Sequence, residues 1–512
     1  MQIKSRRYII NPAVNTWLAA EKAAITHFDS SQSDSLSFAI PTGDSTVHSS
    51  VPLAPVLPQA INGPINIMTL ASPSPDYMWG VTWSGITYIS TSNGAFTPLA
   101  RLPVPGLTQF PIDLLTTLLT QPLNTLSVVE GITSQLSPVT PSGGINSAYC
   151  LVDNTNTLFA NYGTKVYAVG LNVPGLPLLG IGIKRTLDTS SFIPAGDAIT
   201  GLVLTYDGNL VVVGTRSVSV VARSFSGPVH TITLGADEYV SNSAAVDENG
   251  GIYVVSDKKM HKVIWTGSTL SDNPADGAWV ADYPTGDTYP TIFGSGSGST
   301  PTLMGFGSNA DKLVVITDGK RRMSLVAFWR DAIPTGFTSR IAGSIPVTCG
   351  LPLSTEYIQS DQSVAVHDYG AFVVNNVGAD PSTGNRLTDA LARGPLLDSP
   401  QGVERFEWDP VSHSWSSTWA RADICSNTMI PAISSASNTV YTSGYFRGDG
   451  GWKVVGMNWQ TGATVHNTIF GDNICGNGIY AQMEFMPNGD LLMNSILGPT
   501  RVQLPGGVVQ PL

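Results

Sequence analysis

Four asparagines stand at or just before a short apolar run that reads as the first strand of a repeat: Asn146 in Ile-Asn-Ser-Ala-Tyr, Asn242 in Ser-Asn-Ser-Ala-Ala, Asn427 in Ser-Asn-Thr-Met and Asn477 in Gly-Asn-Gly-Ile-Tyr. Amide oxygens are hard ligands suited to Ca²⁺ or Mg²⁺, and the NH₂ groups can hold a polar substrate. The alternative is that each amide only caps its strand entry through a local bond to backbone. A cation site also wants a carboxylate, and Glu484 in Tyr-Ala-Gln-Met-Glu-Phe supplies one. It lies two residues from Gln482 on the same strand face of an apolar run, where a buried carboxylate needs a cation or a proton. Asn146, Asn242, Asn427 and Glu484 are therefore the candidate ligands of a divalent cation such as Ca²⁺. Asn477, Gln482 and Thr200, at or beside repeat starts, are the candidate substrate contacts.

The second candidate site is the polar run Thr26-His-Phe-Asp-Ser-Ser-Gln-Ser-Asp34, which places His27 with Asp29 and Asp34. Histidine titrates near neutrality, so a loop delivering His27 to a binding site could supply a general base. A solvated connection is the other reading of the same run. His367 falls at an expected turn, His230, His261 and His413 on strands or strand ends, and none has metal-ligand spacing. There is no nucleophile elbow, no Cys-x-x-Cys and no phosphate-binding glycine loop leading into a helix.

These side chains have to be positioned by a repeat whose best copy is residues 241–265. Small residues at Ala244 and Ala245 suit a crowded inner strand. The run Asp247-Glu-Asn-Gly-Gly251 suits a tight hairpin, and Ile252-Tyr-Val-Val255 reads as a fully buried strand. Residues 199–221 repeat the pattern. Further repeats begin near Asn146, Thr200, Asn242, Thr302, Gln362, Asn427 and Tyr480, after a first four-strand set over residues 65–101. The array is an all-β fold, a β-propeller of eight blades, or of seven if the first set is an incomplete decoration. In a propeller the starts of inner strands converge on one mouth of the central channel, so the asparagine amides could ring a common point.

Residues 1–64 form an N-terminal segment before the propeller at 65–512. Pro12 at a helix-start position, with Val14, Trp17, Leu18, Ala24 and Ile25 as an apolar stripe, predicts a short helix over 12–28. Residues 36–40 are expected to close the ring by completing the last blade. Helical spacing of Ile112, Leu115, Leu118, Leu119 and Leu126 predicts a helical insertion at 107–139, a candidate lid on a face or rim. Cys425 and Cys475 occupy matching contexts in adjacent repeats, so they are either bridged or two buried thiols, while Cys150 and Cys349 read as unpaired.

Charged residues are 12% of the chain against a usual value of about 25%, and the net charge is -11. That excludes the basic footprint of a nucleic-acid binder. No apolar run reaches the roughly 18 residues that span a bilayer. The composition fits a secreted or periplasmic β-protein. Residues 8–20 do not make a clean signal-peptide core, which leaves a removed leader or a cytoplasmic location. Nothing in the sequence fixes the oligomeric state.

The asparagine positions resemble the gluconolactonase, paraoxonase and senescence-marker group of propellers, where Asn and acidic side chains at the channel hold a divalent cation. That resemblance implies a metal-polarised carbonyl and a hydrolytic water, hence an esterase or lactonase. Residues 297–305, 313–320 and 442–445 look like a group of bacterial propeller proteins of no established activity, which supports the fold. The turn Asn458-Trp-Gln-Thr-Gly462 resembles the Trp and Gly turn of quinoproteins, which implies quinone-dependent redox work. A third reading is a non-catalytic propeller binding a carbohydrate, peptide or protein. Trp408, Trp415 and Trp419 would then stack on sugars, or else pack between blades.

Overall fold

The computed structural model describes residues 11–46, 66–107, 123–136, 147–286, 296–378, 383–495, 500–504 and 509–511, apart from residues 21, 83, 84, 309, 384, 428, 473 and 479. The protein is an all-β propeller. Its described strands form eight sheets, here numbered 1 to 8 along the chain: 66–103, 151–188, 199–233, 245–282, 302–346, 365–425, 432–471 and 484–511. The first set, residues 66–103, is a complete four-stranded sheet.

Sheet 3 shows why the sequence folds this way. In the strand Asn209–Gly214, Leu210 to Val213 are apolar without alternation and buried, because both faces pack against neighbouring sheets. The hairpin before it turns on Gly208, at φ +85°, a conformation that an L side chain resists. Apolar clusters join each sheet to the next. Val203, Val211 and Val213 share a cluster with Phe159 of sheet 2 and Ile252 of sheet 4. Met78, Ile89 and Phe96 of sheet 1 share another with Met486 and Leu492 of sheet 8, which closes the ring.

The expected ring-closing strand goes elsewhere. Ser35–Leu36 pairs in parallel with Ile433 and Ser434 at the inner edge of sheet 7, and Gly43–Thr46 pairs in parallel with residues 466–469 at its outer edge. Sheet 8 is built from four strands of its own, so closure is by side-chain packing.

The predicted helix over residues 12–28 does not form. The described ones among those residues lie in turns and bridges, with Leu18 and Ile25 bridged to sheet 2 and Phe28 packed with side chains of sheets 7 and 8. Residues 15–36 instead fill the centre of the ring and touch all eight sheets. Inner-strand N–H groups donate to successive carbonyls: Ala71 to Ala23 (2.6 Å), Val152 to Ala24 (2.7 Å), Val246 to Ser30 (2.8 Å), Leu303 to Ser31 (2.9 Å), Val366 to Ser33 (2.9 Å) and Ile433 to Asp34 (2.8 Å). Sheet 3 is reached by Asn15 Nδ2 donating to the Leu204 carbonyl at 3.1 Å, and sheet 8 by the His27 N–H donating to Gln482 Oε1 at 2.8 Å.

Two helices are described. Helix α1 (Leu126–Leu136) lies within the predicted insertion, of which residues 108–122 and 137–139 lie outside the described residues. Helix α2 (Arg386–Ala392) enters between the second and third strands of sheet 6. Val129 and Ile132 of α1 pack with Ala390 and Leu391 of α2, and Thr133 and Thr388 share a hydrogen bond of 2.7 Å between their hydroxyls. Cys425 is a free, buried thiol, so it forms no bridge with Cys475. Its sulfur instead meets the Pro400 carbonyl and Asn427 Oδ1.

Candidate functional site

The plug of residues 15–36 is a string of tight turns, with Ala23, His27, Phe28, Gln32 and Asp34 all at positive φ between 53° and 73°. Non-glycine residues hold such angles only where surrounding contacts over-determine them. Here the contacts are the eight sheets, and the result is that His27 and Asp34 meet. Both are fully buried. His27 Nδ1 lies 2.8 Å and 3.0 Å from the two Asp34 carboxylate oxygens. Gln482 clamps the pair from sheet 8: its Oε1 accepts the His27 N–H, and its Nε2 donates to Asp34 Oδ1 at 2.9 Å. Burial pushes the Asp34 carboxyl above its ordinary value, against the opposite pull of His27.

An imidazole held this way presents Nε2 as its working nitrogen. His27 Nε2 is buried and has no hydrogen-bond partner among the described residues. The Tyr149 ring stacks on the imidazole, with centroids 5.6 Å apart and planes at 29°. The Tyr149 hydroxyl donates to Asn242 Oδ1 at 2.8 Å, and Thr300 Oγ1 donates to it at 3.3 Å. Burial pushes that phenol up to about 12. Asn242 and Thr300 precede the inner strands of sheets 4 and 5, so the histidine faces the mouth where inner strands begin.

Helices α1 and α2 sit at that same mouth. Asn477 Nδ2 donates to the Ala390 carbonyl at 2.8 Å, and Asn427 Nδ2 donates to the Arg393 carbonyl at 3.3 Å and to Ser399 Oγ at 2.6 Å. Two of the four repeat-start asparagines thus hold the C-terminal end of α2, whose last carbonyls lack helical partners.

The other predicted residues are placed as follows. Asn146 lies outside the described residues. The Asn242 oxygen accepts from Tyr149, and its amide donates to the Gly298 carbonyl. The Asn427 oxygen accepts the Tyr445 N–H at 3.2 Å as well as the Cys425 thiol. Two protein donors thus occupy the Asn427 oxygen and one the Asn242 oxygen, which leaves the Asn427 oxygen no lone pair for a cation. No group of three or more His, Cys, Asp or Glu side chains that could hold a metal occurs among the described residues. Glu484 is buried on the inner strand of sheet 8, close enough to the Cys150 thiol to help burial push that thiol up. Thr200 Oγ1 donates within its own sheet, to the Val213 carbonyl at 3.4 Å.

Asp29 does not join the His27 pair. It accepts from Ser31 Oγ at 2.6 Å and Ser33 Oγ at 2.5 Å, and it pairs with Lys22. Burial alone would raise its carboxyl, but Lys22 and the two hydroxyls outweigh that and hold it below the ordinary value. Its side opens on a cleft at the opposite mouth, lined by Asn15, Lys22, Ser37, His367 and Ser435. Trp408 and Trp419 pack between sheets, with Nε1 donating to Asp311 Oδ2 and to the Trp459 carbonyl.

Sequence reasoning missed Tyr149 and the positioning part played by Gln482. A signal for Tyr149 was present. Asn146-Ser-Ala-Tyr149 carries an aromatic residue at a repeat start, where Asn242-Ser-Ala-Ala245 has none.

No family model matches the chain. Among solved structures, a europium-containing methanol dehydrogenase is similar at 8% identity and a TM-score of 0.49, over 95% of this chain and 90% of that one. The periplasmic gluconolactonase of Pseudomonas aeruginosa is similar at 13% identity and a TM-score of 0.39, over 62% of this chain and 83% of that one. In sequence, an uncharacterised protein of Archaeoglobus fulgidus is 35% identical over 393 residues, covering 72% of this chain and 73% of its own length. A match of that identity and extent makes the chain a member of the same family as the archaeal protein.

Proposed function

We propose that this propeller is a hydrolase of an ester or lactone, with His27 as general base and Asp34 and Gln482 as its positioning residues. The observation that carries the reading is the unpartnered, buried Nε2 of an imidazole whose other nitrogen is fixed by a carboxylate. In the proposed step Nε2 takes a proton from water as the water oxygen bonds to the substrate carbonyl carbon. The acyl C–O bond then breaks, and the same proton passes from Nε2 to the departing alkoxide, which in a lactone stays tethered to the product. The α1–α2 pair would act as the lid that admits substrate and shuts out bulk water. No step is routed through a metal, because the Asn427 oxygen already accepts from two protein donors.

The test is hydrolysis of a panel of aryl esters and five- and six-membered lactones by wild type, His27→Ala and Asp34→Asn, with folding checked by circular dichroism. The expected result is turnover by wild type and a loss of about 100-fold or more in His27→Ala, in line with removal of a general base. Turnover that survives His27→Ala, or a wild type inert to the whole panel, overturns the reading.

One observation favours a second reading, a non-catalytic binding propeller. The chain's own N-terminal segment fills the channel, and His27 and Asp34 are 0% exposed. On that reading the His27–Asp34 pair is structural and serves to seat the plug. Diethyl pyrocarbonate separates the two. Modification of His27 Nε2 in the folded protein supports an opening lid, whereas full protection supports the structural role.

A further inference from the structure

The third and fourth strands of sheet 2, Lys165–Leu171 and Ile181–Asp188, are joined by a tip that holds aliphatic side chains out in solvent. Val173 is 40% exposed, Leu176 52%, Leu178 79% and Leu179 57%. The tip is built, not slack. The Leu176 N–H donates to the Val173 carbonyl (3.1 Å), Leu179 to Leu176 (3.0 Å), Gly180 to Pro177 (3.0 Å) and Asn172 to Gly180 (2.8 Å). Asn172 Nδ2 adds a bond to the Leu179 carbonyl at 3.1 Å. Pro174 and Pro177 have no N–H to satisfy. A turn that ties up the N–H groups of Asn172, Leu176, Leu179 and Gly180 internally while presenting leucines outward is suited to a medium poor in hydrogen-bond partners.

The charge around the tip points to what that medium is. Residues 166–187 carry Lys184 and Arg185 and no acidic residue, in a protein of net charge -11. Lys184 is exposed at the base of the tip, its Nζ 3.4 Å from Asn172 Oδ1. Arg101 is exposed on the outer strand of sheet 1, which packs beside the tip's turn at Pro177–Leu179. Exposed aliphatic side chains with a cation at their base are what an anionic lipid interface takes up. The turns joining third and fourth strands lie on one face of a propeller, and those of sheets 5 and 6 carry exposed Phe337 and Val411 on the same face.

We propose that residues 172–180 are a peripheral docking tip for an anionic lipid surface, with Leu176, Leu178 and Leu179 entering the interface and Lys184 and Arg101 meeting the headgroups. The proposal is independent of any catalysis at His27, which faces the opposite mouth.

The test is co-sedimentation of the full chain with vesicles of phosphatidylglycerol and phosphatidylcholine in equal parts, and with phosphatidylcholine alone. The variants are the double change Leu178→Ser with Leu179→Ser, and Lys184→Glu, with thermal unfolding as a check that each folds. The expected result is binding of wild type to the mixed vesicles, an about tenfold or greater loss in the double serine variant and a several-fold loss in Lys184→Glu or on raising salt. Three results overturn the proposal: no binding by wild type, binding that the serine variant keeps, or equal binding to the neutral vesicles. A concentration-dependent dimer without lipid, abolished by the serine changes, also overturns it, since the occupant of the tip is then a second copy of the chain.

Discussion

Asp34 accepts the backbone N–H of Ile433 at 2.8 Å through its carbonyl, while its carboxylate holds His27 Nδ1 at the same distance. One residue therefore seats the plug on sheet 7 and orients the candidate base. Chemistry at His27 and the packing of the ring are coupled through it, and substitutions in the plug should be read on both scales.

Gln482 is the direct test of that coupling. Replacing it with methionine keeps the volume but removes the acceptor for the His27 N–H and a donor to Asp34. Leaving such groups buried and unpaired is expected to cost about 2–4 kcal/mol in urea unfolding. Ester or lactone turnover should fall in kcat with little change in KM, because the change alters how the base is aimed. A Gln482→Met variant of unchanged stability would show that the clamp is not formed in solution.

Phe28 anchors the plug among Met429, Met483 and Phe485 and is fully buried. Phe28→Ala should cost about 3–5 kcal/mol, as expected for a buried phenylalanine whose cavity cannot collapse against a closed ring. Chemical denaturation measures it. A loss below about 1 kcal/mol would mean that the channel is not filled in this way.

Gly208 lies under Trp17 of the plug. A Cβ there would come within 2.5 Å of the indole Cδ2, and the residue sits at φ +85°. Gly208→Ala is expected to loosen residues 11–20, read as faster proteolysis within them, at a total cost of about 2–3 kcal/mol. Gly227, at φ +89° with nothing within 4 Å of its Cβ, is the control. Gly227→Ala should carry the backbone cost alone, about 1–2 kcal/mol, without the proteolysis.

His466 gives a pH signature. It is buried on the outer strand of sheet 7, near Tyr441 and 2.7 Å from the Thr468 hydroxyl, and burial lowers it from 6.5 to about 4, against the raising effect of Asp44. Between those values the unfolded chain binds the proton and the folded chain does not. Stability is therefore fully present above about 6.5 and falls as pH drops towards about 4, by about 3 kcal/mol from this group. His466→Gln should flatten that part of the stability profile, measured as the urea midpoint at pH 7, 5.5 and 4.5.

The repeats, the hairpin turns and the presence of a helical insertion were legible because their causes are local. Runs such as Leu210-Val-Val-Val213 are buried on both faces wherever they sit in the ring, and turns such as Tyr206-Asp-Gly208 need only their own residues to bend. The sequence also singled out His27 with Asp29 and Asp34, since their types and their closeness in the chain suggest acid–base chemistry on their own; which of the two carboxylates meets the imidazole was not legible. That Asn427 and Asn477 hold the end of α2 was not legible, because an amide that binds a ligand and an amide that holds a helix end look alike in a single chain.

Only the tertiary structure decided that residues 15–36 run through the channel. A helix over 12–28 satisfies its own backbone and is the better local solution. The observed path is stable only because eight inner strands, from Ala71 to Gln482, offer partners at fixed points around the plug. That fixed ring of partners holds Ala23, His27, Phe28, Gln32 and Asp34 at φ angles they would not adopt alone. The residue types at His27 and Asp34 were written in the sequence, but their meeting, and the unpartnered nitrogen it leaves, come from contacts up to 455 residues away along the chain.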